Sequence, residues 1–367
     1  MQKERKGKWK IPVLIVCFAA VFVCGWVVSG IVKPRQELTW HIPNPKHEYL
    51  VGSAVYQLSA ESDALIRQGY ALVKSRVAEL VEKCQDPSEP AWQLVTGSAG
   101  ENRMYHDGKR VAIICDIDDT LVNGVNYTAD ILGNDGDYNN AAFARFLMSD
   151  GCTALPGAVD CMNYCKESGV EIYYVTNRYD QGYKVGQSDS QGSYEAYKKE
   201  HGEGSYLSKN GEIIGTTVYE LYGKSIYDIS LASMQKLGFP VDDSHLIIND
   251  SKLNGPSKEA ARKAIREGCR DYSNGQRDGE NSLHTRLTFS CEPHEVVMLL
   301  GDQITDFTDD VENGATPVER RLLAEAAAEK FGTEWIVFPN AVYGRAIDPG
   351  MADPVTLFRT YAYTQTD

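Results

Sequence analysis

Positive charge is scarce in this chain: 37 Lys and Arg stand against 51 Asp and Glu, a formal net charge of −14 over 367 residues. Duplex binding rests on clustered Lys and Arg that neutralise phosphates, so this balance argues against a general nucleic-acid binder. An anionic substrate would need a local positive site. Paired CxxC motifs and Cys/His clusters are also absent, so nothing suggests zinc. There are no internal repeats.

What is present suits one substantial core with insertions, since 43% of the residues are hydrophobic and 24% charged. Residues 1–10 hold Lys3, Arg5, Lys6, Lys8 and Lys10, and the run Ile11 to Val32 then carries no charged side chain. A helix of about 20 apolar residues spans a bilayer, and a basic flank before it stays cytoplasmic. Residues 11–32 are therefore expected to be a transmembrane anchor or signal segment, placing the remainder outside the cytoplasmic membrane. Val28-Ser29-Gly30 offers small residues to a signal peptidase, and cleavage there would release the chain as a secreted protein. Residues 33–50, with Pro34, Pro43 and Pro45, read as a linker to a domain over 51–350, and 351–367 as a tail.

Beyond the anchor, Cys84, Cys115, Cys152, Cys161, Cys165, Cys269 and Cys291 form an odd set, so not all can pair. Cys115 closes the apolar run from Val111 and reads as a buried small hydrophobe. Cys161 and Cys165 share a helix face, and Cys269 with Cys291 brackets a polar stretch that a disulfide can close.

From Ala54 to Leu80 the apolar residues Leu58, Ala64, Leu65, Tyr70, Ala71, Val73 and Leu80 predict an amphipathic helix on the core. Val111 to Cys115, Val170 to Val175 and Val296 to Leu300 read as buried parallel strands, with Leu246 to Ile248 as a fourth. Helical patterns over 141–147, 158–166, 231–237 and 258–266 alternate with them, which predicts an α/β fold with a doubly wound parallel sheet. Two polar stretches, about 181–226 and 271–291, break the alternation and read as surface insertions forming a small cap. Ligands in such sheets bind beyond the carboxyl ends of the strands, so the informative residues are those that follow each apolar run.

After the first run comes Asp116-Ile117-Asp118-Asp119-Thr120. Phosphoryl transfer to a carboxylate needs an unprotonated nucleophile, an acid for the leaving oxygen, and a cation against charge repulsion. Asp116 and Asp118 fit the first two roles. After the second run, Thr176 and Asn177 offer donors to a phosphate and Arg178 offers charge. Lys258, at a helix start, can point a compact cation at phosphate and nucleophile. Asp302 and Asp306 follow the last run; Asp302 suits direct Mg²⁺ ligation, and Asp306 suits the orientation of Lys258 or of a metal-bound water. Any one of these signals has an ordinary structural explanation, a turn, a cap or an exposed Lys, whereas their joint occurrence in this order does not.

The ordered set resembles the haloacid dehalogenase superfamily, and in detail its class C nonspecific acid phosphatases, the group that includes surface 5′-nucleotidase lipoproteins. The resemblance covers roughly residues 52 to 345. It rests on Gln57-Leu58-Ser59-Ala60-Glu61, the Asp116 to Thr120 motif, Ala154-Leu155-Pro156-Gly157-Ala158, Val175-Thr176-Asn177-Arg178, Lys236 to Pro240, Ser257-Lys258, Gly301-Asp302 with Asp306-Phe307, and Pro339-Asn340-Ala341 with Tyr343-Gly344. It implies an aspartyl-phosphate on Asp116, with Asp118 as general acid and then base. It also implies Mg²⁺ held by the Asp116 and Asp302 carboxylates and the Asp118 carbonyl, and phosphoryl oxygens held by Thr176 and Lys258. The expected substrates are small phosphomonoesters such as nucleoside monophosphates, with Tyr127, Tyr179 or Tyr343 available to stack on a ring. Asn123 stands where relatives often carry an acid, and no lipobox precedes Cys24. A phosphotransferase of the same superfamily is the alternative enzyme, distinguished by how water is excluded. A non-catalytic surface binding protein is disfavoured because every expected catalytic side chain is intact.

Overall fold

A computed structural model describes residues 55–128, 140–178, 222–248, 257–278, 284–310 and 317–340. The basic tail, the apolar run 11–32, the linker, most of the 181–226 segment, Tyr179, Tyr343 and the C-terminal tail lie outside the described residues. Among the described residues, no helix is long and apolar enough to cross a membrane.

The domain opens on helix α1 (Ala60–Gln85), whose N-terminus is capped by Ser59 accepting from the Ser62 amide at 3.1 Å, with Glu61 and Asp63 in its first turn. Its buried face is Ile66, Tyr70, Val73, Val77 and Leu80. That face departs from the sequence expectation: Leu58 lies before the Ser59 cap, outside α1, and is 80% exposed, while Leu65 is 54% exposed because an ideal helical phase anchored on Tyr70, Val73 and Leu80 turns it outward and brings in Ile66 and Val77.

Strands β1 (Trp92–Thr96) and β2 (Asn102–His106) form an antiparallel hairpin that pairs with the start of β3 (Lys109–Cys115). Short β4 (Val122–Asn123) pairs with β5 (Thr153–Ala154) across helix α2 (Asn140–Met148). Helix α3 (Ala158–Glu167) leads to β6 (Glu171–Thr176), helix α4 (Ile226–Leu237) to β7 (Leu246–Ile248), and helix α5 (Glu259–Glu267) to the strands β8 (Cys269–Asp278) and β9 (His284–Cys291). Then follow β10 (His294–Gly301), a 3₁₀ turn over Ile304–Asp306, helix α6 (Pro317–Ala326) and β11 (Trp335–Val337). Helix α4 shows how sequence sets such ends: Ser225 caps its start, and Gly238, at φ 93°, closes it in the left-handed conformation that glycine adopts without a Cβ clash.

The sheet's parallel part runs β7, β6, β3, β10, β11. Both faces are covered. Val111, Ile113 and Cys115 of β3 enter one core with α1, α3 and α4, while Ala112 and Ile114 enter a second with Ala261 and Ile265 of α5. The expected doubly wound α/β sheet is therefore present, with an antiparallel edge that weaker patterns at Trp92–His106 did not announce. Cys115, Cys152, Cys161 and Cys165 are all buried.

The stretch 271–291 differs from the expected surface insertion. It belongs to an antiparallel hairpin whose root is in the core: Phe289 is buried against Tyr173, and the Asn274 side chain accepts from the Ile248 amide at 2.7 Å and donates to the Leu246 carbonyl at 2.9 Å. Its polar composition hid this because Asn274 bonds to the backbone of the edge strand β7, which a buried amide can do and an apolar side chain cannot. Cys269 and Cys291 face each other across the hairpin, Sγ to Sγ 4.0 Å, as thiols.

At the amino end of the sheet, Glu171 accepts from His245 at 2.9 Å and His294 at 2.8 Å, and His245 also pairs with Asp242 at 2.6 Å. Burial would discharge His245, but Glu171 and Asp242 outweigh it and raise its affinity for a proton above the ordinary histidine range. The resulting stability is fully present below the unfolded value of about 6.5 and disappears as pH rises through the higher folded value. We expect His245→Gln to cost about 1.5–3 kcal/mol near pH 5.5 and almost nothing near pH 9, as measured by urea unfolding at both values.

Candidate active site

Three parallel strand ends meet at the carboxyl rim. Cys115 pairs in register with Tyr174 on one side and Leu300 on the other, so residue 116 emerges between the ends of β6 and β10, where the chain leaves in opposite directions. The Asp116 amide is held to the Leu300 carbonyl at 2.9 Å. The loop then turns back on itself: Leu121 and Val122 donate to the Ile117 carbonyl at 2.8 and 2.9 Å, and Asp119 adopts φ 54° while accepting from the Gly124 amide at 2.8 Å. Asp119 is buried at 1% exposed and shapes the loop that presents Asp116 and Asp118.

Lys258, just before α5, is buried and donates to Asp116 and, at 2.6 Å, to Asp306 Oδ1. Asp306 Oδ2 accepts the amides of Asp302 and Gln303 at 3.2 and 2.9 Å, closing the 3₁₀ turn as its cap. Asp302 accepts from Thr120 at 3.2 Å, Gln303 at 3.0 Å and Asn340 at 2.5 Å. One oxygen each from Asp116, Asp302 and Asp306 lies within 4.8 Å of the others, all buried. Thr176 ends β6 at 2% exposed, its Oγ1 accepting from the Arg178 amide at 3.4 Å, and Asn177 is half-buried beside it.

Two expected substrate contacts sit elsewhere. Arg178 does not point an open guanidinium at the rim; it pairs with Asp118 through Nε at 3.0 Å and Nη2 at 2.6 Å. Tyr127 is buried with its ring against Phe143 and Phe146, centroids 5.0 and 5.7 Å away, so it packs in the core instead of presenting a stacking face. Asn123, in place of an acid, donates to Gln57 at 2.8 Å and accepts from the Val125 amide at 3.0 Å, a dual role open to an amide and closed to a carboxylate.

Other residues of the site had no assigned role in the sequence. Thr120, Gln303 and Asn340 surround Asp302. Arg262, 0% exposed, donates to the Thr305 and Asp306 carbonyls at 3.1 and 2.8 Å and to Asp309 at 3.0 Å, tying α5 to the turn that carries Asp306. The only signal for Arg262 is its place one helical turn after Lys258. Gly301 is there because a Cβ would fall 2.8 Å from Asp306 Cγ. We expect Gly301→Ala to displace Asp306 and cost about 1–3 kcal/mol of stability, as read from melting curves.

The cluster carries more negative than positive charge. Burial pushes Asp116 well above the usual carboxylate range; Lys258 opposes the rise, and Asp306 and Asp302 add to it. Burial, then Asp306 and Asp119, push Asp302 up to about 7. Burial disfavours a charged Lys258, but Asp116 and Asp306 reverse this and hold it charged beyond the ordinary lysine range. Hard oxygen donors at this spacing, with one ammonium among three carboxylates, fit a divalent cation.

Residues 41–200 match the family model described as haloacid dehalogenase superfamily, subfamily IIIB (acid phosphatase). That stretch, less than half of the chain, is similar to this subfamily. The matched stretch contains Asp116, Asp118 and Thr176, while Lys258, Asp302 and Asp306 lie beyond it and join them through the fold. Two solved structures are similar in fold. The class C acid phosphatase from Bacillus anthracis shares 19% identity over 82% of this chain and 87% of that one, with a TM-score of 0.51. The class C acid phosphatase from Bacillus anthracis with tungstate bound shares 18% over 87% and 97%, with a TM-score of 0.53. Within the superfamily the match is to acid phosphatases, so the chemistry to be explained is phosphomonoester hydrolysis.

The charge excess has a measurable consequence. An acid whose folded proton affinity is raised penalises the folded state as pH climbs, because the unfolded chain ionises near about 4 while the folded group keeps its proton to about 7. In chelator, the melting temperature should fall between about pH 4.5 and 7.5, and Mg²⁺ should restore it more at the higher value. Each kcal/mol restored corresponds to roughly 2–4 °C. In Asp302→Asn the magnesium response should shrink at both pH values.

Proposed function

We propose that this protein is a Mg²⁺-dependent phosphomonoesterase that works through an aspartyl-phosphate on Asp116, outside the cytoplasmic membrane. The observation that carries the reading is Lys258 bridging Asp116 and Asp306 with Asp302 in the same cluster. An ammonium in contact with the nucleophilic carboxylate also stands where it can meet the incoming phosphoryl group, and it reduces the repulsion between them.

Asp116 and Asp302 are the residues that would hold the cation, with the Asp118 carbonyl as a third donor. When bound, the ion supplies the positive charge that lets a carboxylate approach a phosphate dianion. The protein's own groups do the rest. In the first half-reaction the Asp116 carboxylate attacks phosphorus, the ester P–O bond breaks, and Asp118 gives its proton to the departing alkoxide. In the second, water attacks the aspartyl-phosphate, its proton passes to Asp118, and the bond from Asp116 to phosphorus breaks. Phosphate leaves, Asp116 is again a carboxylate, and Asp118 is again protonated. Thr176 and Lys258 serve as donors to the phosphoryl oxygens throughout.

Nucleoside monophosphates are the substrates we favour, on the family resemblance. The tungstate, an oxyanion, carried by a similar structure is consistent with an oxyanion site in this fold. The extracytoplasmic placement is supported by the basic residues Lys3 to Lys10 ahead of the uncharged run from Ile11 to Val32.

We expect Asp116→Asn to abolish Mg²⁺-dependent phosphate release from p-nitrophenyl phosphate, by about 10³-fold or more, with folding intact by circular dichroism. Wild-type turnover in that variant would eliminate the nucleophile. A panel of nucleoside and sugar monophosphates then ranks the substrates by kcat/KM.

A further inference from the structure

Arg178 directly follows Thr176 and Asn177, where a phosphate donor is the first expectation, yet its geometry commits it to another partner. Its Nε and Nη2 meet Asp118 Oδ2 and Oδ1 at 3.0 and 2.6 Å, a two-point fork in which each oxygen of the carboxylate receives one donor. Its guanidinium carbon lies 5.4 Å from the Phe143 ring centroid, which backs the plane of the fork. Arg178 is 3% exposed, whereas the Asp118 side chain keeps 20%. The arginine is thus the buried member of the pair and the carboxylate the more accessible one.

We propose that Arg178 is a positioning residue for Asp118: it sets the angle at which that carboxyl meets the leaving-group oxygen, and through it the enzyme's reach toward esters with poor leaving groups. A lone aspartate side chain on a loop rotates about two torsions; two parallel hydrogen bonds from a planar, buried group remove that freedom. The consequence is selective. Phosphate esters of alkyl alcohols need the proton as the bond breaks, whereas p-nitrophenolate departs without it. This inference rests on the proposed role of Asp118 as general acid, and the experiment separates the two.

The test compares kcat/KM, which reports steps up to leaving-group departure, for glycerol 2-phosphate and p-nitrophenyl phosphate in wild type, Arg178→Met, Arg178→Lys and Asp118→Asn with Mg²⁺ present. Arg178→Met is expected to lose at least about 10-fold more on the alkyl ester than on the aryl ester, with Arg178→Lys intermediate because one ammonium cannot hold both oxygens. In the Asp118→Asn background, adding Arg178→Met should cost less than about 3-fold further on the alkyl ester, since the arginine acts through the group already removed. Equal losses on both esters in Arg178→Met would overturn the inference and make Arg178 a phosphate contact. Additive losses in the double variant would overturn it too. If Asp118→Asn itself shows no preference between the esters, the general-acid reading fails instead. Melting curves for both Arg178 variants exclude a folding defect, and should Arg178→Met not fold, Arg178→Lys carries the same comparison.

Discussion

Three carboxylates from two distant stretches of chain share a volume less than 5 Å across, with one ammonium between two of them, all buried. Such an arrangement is unfavourable by itself. Burial and the neighbouring acids raise Asp116 and Asp302, and Lys258 offsets only part of the rise at Asp116. The fold must therefore hold the cluster by force of its other bonds, and the surroundings of the acids show how. Asp306 is fixed by two backbone amides, Asp302 by three side-chain donors, and the turn carrying Asp306 by the buried guanidinium of Arg262. These groups fix direction without neutralising the acids, since they are neutral donors except for Arg262, whose charge is met by Glu259 and Asp309, and the cluster remains one that a divalent cation fits.

The strand register makes this economical. Because β3 is flanked by β6 on one side and β10 on the other, both parallel, the residues just past three apolar runs arrive at one rim without any long loop having to be ordered. Gly301 then lets the chain turn tightly enough for Asp306 to fold back beneath it. Asp119, held at positive φ by its bond to the Gly124 amide, does the same on the β3 side. Neither residue touches the proposed reaction, yet both decide where the reacting groups stand.

What was legible in the sequence follows from which physics leaves a local trace. Val111 to Cys115, Val170 to Val175 and Val296 to Leu300 read as strands because parallel strands buried on both faces are continuous apolar runs, and the polar residues after them marked the rim. The phase of α1 was misread: with apolar residues on more than one face, Leu65 looked as internal as Ile66 and Val77, and only the packing partner decides. The hairpin root escaped because Asn274 is polar by composition and buried by function. Arg262 escaped for the same reason, since a charged residue within a helix reads as a solvent face until its carbonyl partners are known. Arg178 and Tyr127 read as substrate contacts through nearness in sequence to the motifs, whereas the structure pairs Arg178 with Asp118 and packs Tyr127 on Phe143 and Phe146; direction of the side chain is what the sequence does not encode locally.

The two ends of the same sheet show how a structural ion cluster differs from a functional one. At the amino end, Glu171 is surrounded by His245, His294 and Arg110, and the hydrogen bonds from the two histidines, with the charge of Arg110, hold its carboxyl well below the usual range although burial works against it. That cluster closes its own charge and needs nothing from outside. At the carboxyl end the balance runs the other way, with acids driven upward and a single lysine among them. Both are buried and both are hydrogen-bonded, so burial alone does not separate them. Among the described residues the sign of the residual charge does, and it is negative at the carboxyl end, where the proposed function places a cation and a phosphate ester.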